Sequence, residues 1–215
     1  MNRVRFIPAL CASLFLLFAP IFGQAEEEKA EEPAAPGEVI GEVTDTLLSY
    51  VKENDELIKT KPETYFTELR GILEPAIDFE SIAKSVMGKK SWTSVEEKDQ
   101  QRFVEAFTDS LVQTYGKAMS SFVDLDINVA KTWPSDNPKK KSYFVQQDVK
   151  LESGLAHIVY SMHPVAEGWK VRNVTIRDSK GYKLNMGKTF YAQFKHALSE
   201  NEGNVVATID GWGKQ

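Results

Sequence analysis

Apolar residues in the first half of the chain recur every three or four positions, which is the spacing of an amphipathic helix. This spacing predicts a first helix from Ile40 to Ile58, and Pro62 and Pro75 bound a second. Proline is tolerated in a first helical turn because the amide it lacks would have no helical partner. A third helix begins near Phe79 and is expected to stop at Gly88. The first part of the folded chain is therefore predicted to be helical.

The clearest predicted helix follows Ser94. The segment Ser94-Val95-Glu96-Glu97 has the form of a capping box, in which two side chains satisfy free backbone amides at the start of a helix. Apolar residues then follow in steps of three and four from Phe103 to Phe122. We therefore expect one long helix with a continuous apolar stripe.

After Phe122 the apolar period changes to two, which indicates half-buried strands. Four alternating stretches occur, at 123–129, 143–151, 156–162 and 169–175. Short turns join the later stretches, so the pattern predicts an antiparallel four-stranded meander. Two further helices are predicted at 189–199 and 205–212. Because helices and strands are segregated along the chain, the predicted fold class is α+β.

The first 25 residues have the pattern of a secretory signal peptide. A short basic region precedes a proline-interrupted apolar stretch, and Gly23-Gln24-Ala25 supplies the small residues of a cleavage site. A membrane-spanning helix would need about 20 apolar residues. Residues 26–38 are acidic and rich in alanine and proline, which is typical of a flexible linker. The predicted organisation is a signal peptide over 1–25, a linker over 26–38 and one folded domain over 39–215.

Charge and composition exclude several classes of function. The chain has 26 Lys and Arg against 31 Asp and Glu, a net charge of −5, whereas a nucleic-acid-binding protein needs a basic face. The single cysteine, Cys11, lies within the predicted signal peptide, so neither a disulfide framework nor a cysteine zinc site is expected. His157 and His163 would lie about 20 Å apart along one strand, too far to share a metal. An exported chain without cysteine, cleaved near Ala25, is predicted to be periplasmic.

No catalytic motif is found in the sequence. The segment Gly181 to Thr189 comes nearest to a phosphate-binding loop, but five residues separate its glycines where four are needed. Neither a G-x-S-x-G elbow nor an H-E-x-x-H pair is present. We therefore predict that the protein is not an enzyme and has no cofactor. The basic cluster Lys139–Lys141 fits a solvated loop, or alternatively a contact with anionic head groups or an acidic partner.

Five short stretches of the predicted domain form a recognisable pattern when taken in order. They are Tyr65–Pro75, Ile77–Trp92, Gln101–Tyr115, Trp169–Val174 and Tyr191–Phe194. The pattern, from about Val43 to Trp212, resembles the MlaC family, also called the toluene-tolerance or Tgt-type auxiliary substrate-binding proteins of ABC transporters. The family usually has aspartate at Asn173 and arginine at Tyr191, and its "eGvSl" segment differs from residues 177–184. These departures indicate a divergent branch of the family.

The resemblance implies a soluble, monomeric periplasmic carrier with phospholipid as its cargo. Family members shuttle phospholipid between an outer-membrane lipoprotein–porin complex and an inner-membrane ABC transporter complex with an MCE-type component. The implied fold has N-terminal helices, a twisted antiparallel four-stranded meander of the NTF2-like kind, and C-terminal helices packed on the sheet around an apolar cavity. Three alternatives remain: another cargo such as a hopanoid-type lipid, a non-carrier envelope scaffold, and an enzyme with a buried carboxylate or histidine in the cavity.

Apolar side chains at the predicted interface between helices and sheet are the candidates for lipid binding. They are Val86, Met87, Phe107, Leu111, Tyr115, Val145, Val149, Ile158, Tyr160, Val171 and Phe194. A lipid with two acyl chains has on the order of 30 methylene groups, and exposing each to water costs about 0.8 kcal/mol. A carrier must therefore replace most of that apolar contact with its own side chains.

Overall fold

Five helices precede the sheet and two follow it in the computed structural model, which describes residues 35–119 and 121–214. The helices are α1 (Pro36–Asn54), α2 (Leu57–Thr60), α3 (Pro62–Leu73), α4 (Phe79–Trp92), α5 (Glu97–Met119), α6 (Met186–Glu200) and α7 (Val205–Gly211). The predicted α+β order of helices, strands and helices is confirmed. The first helix begins at Pro36, three residues before the predicted start of the domain. The predicted signal peptide and most of the predicted linker lie outside the described residues.

The sheet is an antiparallel meander whose spatial order follows the chain. Its strands are β1 (Ile127–Pro134), β2 (Tyr143–Leu151), β3 (Gly154–Val165), β4 (Gly168–Asp178) and β5 (Lys183–Asn185). The meander is confirmed, with one strand more than predicted, because the short β5 adds itself to the edge beside β4. The first strand also begins later than expected. Phe122 and Leu125 instead donate backbone hydrogen bonds in turns that follow α5.

Two local predictions in the helical part are wrong. Gly88 does not end α4 but interrupts it, with φ of 73° and ψ of 156°, a backbone conformation that glycine adopts at little steric cost. Helical residues resume after it and continue to Trp92. Ser94 does not cap the long helix, because its hydroxyl donates to the Ser91 carbonyl and α5 begins at Glu97. Both errors concern the ends of elements, where spacing of apolar residues carries little information.

The helices pack against one face of the sheet. Val145, Gln147 and Val149 alternate along β2 and are all buried, so they point to the same side as their β3 partners. The first helix lies close to the edge strand on that side. A side-chain carbon built at Gly37 would come within 2.9 Å of the Thr132 hydroxyl of β1. The buried face of the sheet is thus covered by helices.

An aromatic core fills the space between α4, α5, α6 and α7. The rings of Phe103 and Phe194 are 5.2 Å apart between centroids, and those of Phe103 and Trp212 are 5.3 Å apart. Both pairs meet edge to face, the arrangement that aromatic quadrupoles favour. A second cluster joins α1, α3 and α5 around Tyr65 and Leu69. These two clusters hold the helices together on one side of the sheet.

Asp78 joins the start of α4 to β4. Its Oδ1 accepts a hydrogen bond from the Ser81 amide at 3.0 Å, which caps the helix, and its Oδ2 accepts from Arg172 Nε at 2.7 Å. The Asp78 amide also donates to the Val171 carbonyl at 3.0 Å. Burial acts to raise the pKa of this carboxyl, but the hydrogen bonds from Ser81 and Arg172 outweigh it and lower the pKa. The carboxylate therefore stabilises the fold when it is ionised.

Replacing Asp78 with asparagine is expected to lower the free energy of unfolding by about 1 kcal/mol at neutral pH, because the amide still caps the helix but loses the charged bond to Arg172. A carboxyl with a lowered folded-state pKa contributes stability above its unfolded pKa and loses it as the pH falls through the folded one. Urea unfolding of both proteins from neutral pH to about pH 2 measures this contribution. The two curves should converge in acid. The exposed Asp45→Asn serves as control, and curves that stay parallel for Asp78→Asn would contradict the assignment.

Candidate functional site

An apolar cavity of about 300 Å³ lies between the sheet and the helices. Helices α1, α3, α4, α5 and α6 form its walls on one side, and β3 and β4 form them on the other. Its lining is mostly aliphatic, including Ile40, Leu69, Ile82 and Ile176. An apolar space between layers is the usual form of a site for an apolar ligand.

Five of the predicted lipid-binding residues line this cavity. They are Leu111 and Tyr115 of α5, Ile158 and Tyr160 of β3, and Val171 of β4. The alternation along β3 therefore identified the strand face that meets the cavity. Contact between these five side chains and lipid stays a prediction.

The other six predicted residues are buried elsewhere, with at most 2% of each side chain exposed. Val86, Met87, Phe107 and Phe194 belong to the aromatic core, Val145 packs in a cluster with Ile40 and Met162, and Val149 is buried on β2. None of them is among the lining residues. In the described structure these six belong to the packed core and not to the cavity lining.

Sequence reasoning missed the contributions of α1 and α3 to the lining, and on α6 it named Phe194 where the lining residue is Phe190. Leu47, Leu69 and Phe190 stand on recognisable apolar stripes, but the spacing of a stripe does not show which surface it meets. No sequence signal marked these helices as walls of a cavity rather than as ordinary core. Only the packing of these helices on the sheet shows that they line the cavity.

A chain of hydrogen bonds ties one wall of the cavity together. The Tyr160 hydroxyl donates to Gln147 Oε1 at 2.8 Å, and Gln147 Nε2 donates to Thr44 Oγ1 at 2.9 Å. The Thr44 hydroxyl in turn donates to the Ile40 carbonyl at 2.7 Å. Burial raises the pKa of the Tyr160 phenol, so the hydroxyl stays neutral. The chain joins α1 to β2 and β3 and leaves the Tyr160, Gln147 and Thr44 side chains hydrogen-bonded beside the apolar space.

Two of the lining residues are exposed to solvent. Tyr115 is 40% exposed, and the side chain of Arg172 is 39% exposed, whereas the other lining residues are buried or half-buried. The Tyr115 ring stands edge to face with Phe190, with 6.5 Å between the ring centroids. Burial of the ring raises the pKa of the Tyr115 phenol. Tyr115 is therefore an aromatic lining residue that also contacts solvent.

Helices α3 and α5 close one side of the cavity by direct contact. A side-chain carbon built at Gly116 would lie 2.5 Å from Leu69 Cδ2, so the helices approach where only glycine fits. The Tyr65 hydroxyl also donates to the Gly116 carbonyl at 3.3 Å. An open groove of about 1060 Å³ follows the outer side of these helices, but Arg70 and Asp109 line it and bond to each other across it. Its charged lining makes it a poor site for acyl chains.

Two titratable side chains of the sheet lie close together away from the cavity. His157 Nδ1 lies 2.7 Å from Asp148 Oδ1, on the sheet face opposite the cavity. Among the residues lining the cavity in the described structure there is no carboxylate and no histidine. Residues 35–119 and 121–214 contain no group of three or more potential metal ligands. Lys139–Lys141 lies in the loop between β1 and β2 and is exposed.

The described helices include none that could cross a bilayer, since none is both long and apolar enough. Comparison with known proteins gives three consistent matches. Residues 41–214 match the model of the family described as MlaC protein. The toluene tolerance protein ttg2D of Pseudomonas putida is 34% identical over 178 residues, which cover 82% of this chain and 79% of that protein. A phospholipid-binding protein from Ralstonia solanacearum, solved in complex with a phospholipid, has the same fold with a TM-score of 0.69 at 20% identity, over 85% of this chain and 98% of that one.

The family match spans all of the helices and strands that form the cavity except the first residues of α1. The order of elements, the antiparallel meander and the apolar space between the layers agree with the expectations drawn from the resemblance. The chain belongs to the MlaC family.

Proposed function

We propose that this protein is a monomeric periplasmic carrier that holds the acyl chains of a phospholipid in the cavity between helices and sheet. In this proposal it carries lipid between an outer-membrane lipoprotein–porin complex and an inner-membrane ABC transporter complex with an MCE-type component. It binds no nucleic acid. The observation that carries the proposal is the apolar lining of the cavity between helices and sheet. The phospholipid complex of the Ralstonia solanacearum protein supports the same cargo.

The size of the cavity constrains how cargo is held. The cavity has a volume of about 300 Å³, whereas two acyl chains have on the order of 30 methylene groups. In this proposal a complete diacyl lipid requires the walls to separate. We infer that loading widens the cavity by moving helices relative to the sheet.

Release of cargo then needs no chemical step in this chain. A partner that binds the empty form more tightly than the loaded form shifts the equilibrium towards release, and one with the opposite preference favours loading. Exchange of the lipid between apolar surroundings also avoids the cost of exposing its chains to water. The lining offers hydrophobic contact rather than acid–base groups, as this role requires.

Native mass spectrometry of protein purified from the periplasm without detergent tests the proposal. We expect a mass above that of the mature chain, and extraction of the bound material should give glycerophospholipid. Lipid-free protein should gain the same mass after incubation with phosphatidylglycerol vesicles. A hopanoid-type lipid in the extract would replace the proposed cargo. A bare protein mass that stays unchanged with vesicles would reject the carrier function.

A further inference from the structure

Several lysines gather at one end of the sheet, on or beside the outer face, which is the face opposite the cavity. This basic end consists of Lys131 of β1, Lys139, Lys140 and Lys141 of the loop between β1 and β2, and Lys170 of β4. We propose that the basic end is a docking surface for a lipid bilayer with anionic head groups. The inference goes beyond the proposed function, since it does not depend on what the cavity holds.

The strand register places two of these lysines on the outer face. Val145 of β2 and Met162 of β3 are buried in one cluster with Ile40 of the first helix. The positions next to them along each strand therefore point away from the helices. Those outward positions include the register pairs Lys131 with Gln146 and His163 with Lys170. In an antiparallel meander the loop between β1 and β2 lies at the same end as the turn between β3 and β4.

The loop between β1 and β2 has a defined conformation that keeps its lysines in solvent. The Ser135 amide donates to the Ser142 carbonyl at 2.8 Å and closes the loop. Asn137 Oδ1 accepts from the Lys139 amide at 3.1 Å and caps the short 3-10 helix Pro138–Lys140. The three consecutive lysines of the loop are all exposed. The fold therefore presents their charges together rather than dispersing them.

Aromatic side chains lie beside these lysines on the outer face. Trp133 and Phe144 are register partners on β1 and β2, and their ring centroids are 5.6 Å apart. Lys131 Nζ lies 4.9 Å from the centre of the Trp133 ring, which is a cation–π distance. Both rings are half-buried, so part of each contacts solvent. Tryptophan is enriched where proteins meet the head groups of a bilayer, because its ring is amphipathic.

Positive charge is in excess at this end although the whole chain has a net charge of −5. Asp136 is the acidic residue of the loop between β1 and β2, and Glu167 is that of the turn between β3 and β4. The five lysines of the basic end therefore outnumber these two carboxylates. An acidic protein approaches an anionic surface with its positive end first, because the remainder of the molecule is repelled.

His163 shows that the positive charge acts on the outer face itself. Its pKa is lowered first by burial and then by the positive charges of Arg172 and Lys140. Asp78, which is bonded to Arg172, acts in the opposite direction but does not compensate. The charge of Lys140 thus extends from the loop to the adjoining strands.

An anionic bilayer suits this surface better than an acidic protein does. Lysine is depleted at protein interfaces, since its ammonium group is strongly hydrated and its side chain is flexible. At a bilayer surface a lysine keeps its hydration and still gains electrostatic attraction. Each lysine near such a surface strengthens binding by about five-fold. A cluster of lysines next to a tryptophan therefore favours the bilayer as the partner.

Flotation with vesicles of two compositions tests this inference. Purified protein is mixed with vesicles of phosphatidylcholine alone, or of phosphatidylcholine and phosphatidylglycerol in equal parts, and the protein that floats with the lipid is quantified. We expect flotation only with the phosphatidylglycerol vesicles, and its loss at high salt, because salt screens exposed charges. The triple variant Lys139→Gln, Lys140→Gln, Lys141→Gln is expected to bind these vesicles at least about ten-fold more weakly.

A second triple variant controls for the change in total charge. Lys89→Gln, Lys90→Gln and Lys195→Gln remove three exposed lysines from α4 and α6, on the other side of the sheet. This variant should float like the wild type. Equal losses in the two triple variants would mean that only net charge matters, and would overturn the assignment to the basic end.

Tryptophan fluorescence tests which face meets the bilayer. Phosphatidylglycerol with brominated acyl chains quenches a tryptophan that reaches the head-group region, and we expect Trp133 to be quenched. The fraction of the fluorescence that is quenched should therefore fall in Trp133→Phe. An unchanged fraction overturns the placement of the outer face at the bilayer.

The same measurements separate docking from carriage of lipid. Flotation measures contact with vesicles, whereas extraction of bound lipid measures the content of the cavity. Wild-type protein that floats with neither kind of vesicle overturns the bilayer assignment and favours an acidic protein as the partner of this surface. Wild-type protein that floats with anionic vesicles but never holds lipid rejects the proposed function alone and supports the docking surface.

Discussion

Protein carrying Ile158→Glu is expected to fold but to lose its bound lipid. Ile158 is half-buried on β3 and lines the cavity, so its side chain faces the space that the acyl chains would occupy. In the empty protein a glutamate at this position is hydrated by water in the cavity. Loading would remove that water, and leaving a polar group without its partners costs about 2–7 kcal/mol. We therefore expect bound phospholipid to fall at least about thirty-fold.

The matched control for this variant lies three residues away on the same strand. Leu155 is 36% exposed and, by the alternation of β3, faces away from Ile158. Leu155→Glu introduces the same charge without approaching the cavity, and it should retain lipid. Native mass spectrometry of both variants, with their thermal unfolding curves, separates loss of cargo from loss of fold. Retention of cargo by a folded Ile158→Glu protein would place the lipid elsewhere.

A second substitution with a large expected effect acts on the aromatic core. Phe103 is fully buried, and its ring contacts those of Phe107, Phe194 and Trp212. Phe103→Ala removes these contacts and leaves a cavity that the surrounding helices cannot refill. Such substitutions cost about 3–5 kcal/mol. We expect a loss of this size in the free energy of unfolding.

Urea unfolding measures the effect of Phe103→Ala, with Tyr182→Ala as the exposed aromatic control. Tyr182 is 57% exposed, and its replacement should change stability by less than about 0.5 kcal/mol. Because Phe103 does not line the cavity, folded Phe103→Ala protein should still take up lipid at low temperature. A loss below about 1 kcal/mol would show that this aromatic core is not well packed.

Periodicity predicted the elements well because burial on one face is a local property of the sequence. The stripe on α5 and the alternation on β3 placed Leu111 and Ile158 at the interface of the layers, where the structure has them. The same stripe placed Phe107 there, one helical turn from Leu111, yet Phe107 packs in the aromatic core. Whether a side chain of α5 packs in the aromatic core or faces the cavity depends on where α6 and α7 cross α5. Those crossings involve residues far apart in the chain, so spacing carries no information about them.

The polar features of the site were harder to predict for a related reason. A strand pattern assumes strict alternation, and the register shift beside Ser161 breaks it, so that Val171 and Val174 both line the cavity although they are three residues apart. The hydrogen-bonded chain from Tyr160 to Thr44 joins residues more than a hundred positions apart. Gln147 alternated with valines on a predicted buried face, and its burial is explained only by these partners. A single polar residue within an apolar pattern therefore indicates a buried hydrogen bond whose partner the spacing does not identify.

The lining of the cavity begins at Ile40 in the first helix and extends to Phe190 in the sixth. A chain that is still emerging from a ribosome or a translocation pore therefore lacks one wall until nearly all of its length is free. Neither the α1–α5 segment nor the sheet alone encloses the space, so a partly emerged chain exposes the apolar surfaces that later face each other. The chain can therefore bind an apolar ligand only when its synthesis is almost complete. Interrupted or truncated chains expose apolar surface and become substrates for chaperones and proteases rather than partial carriers.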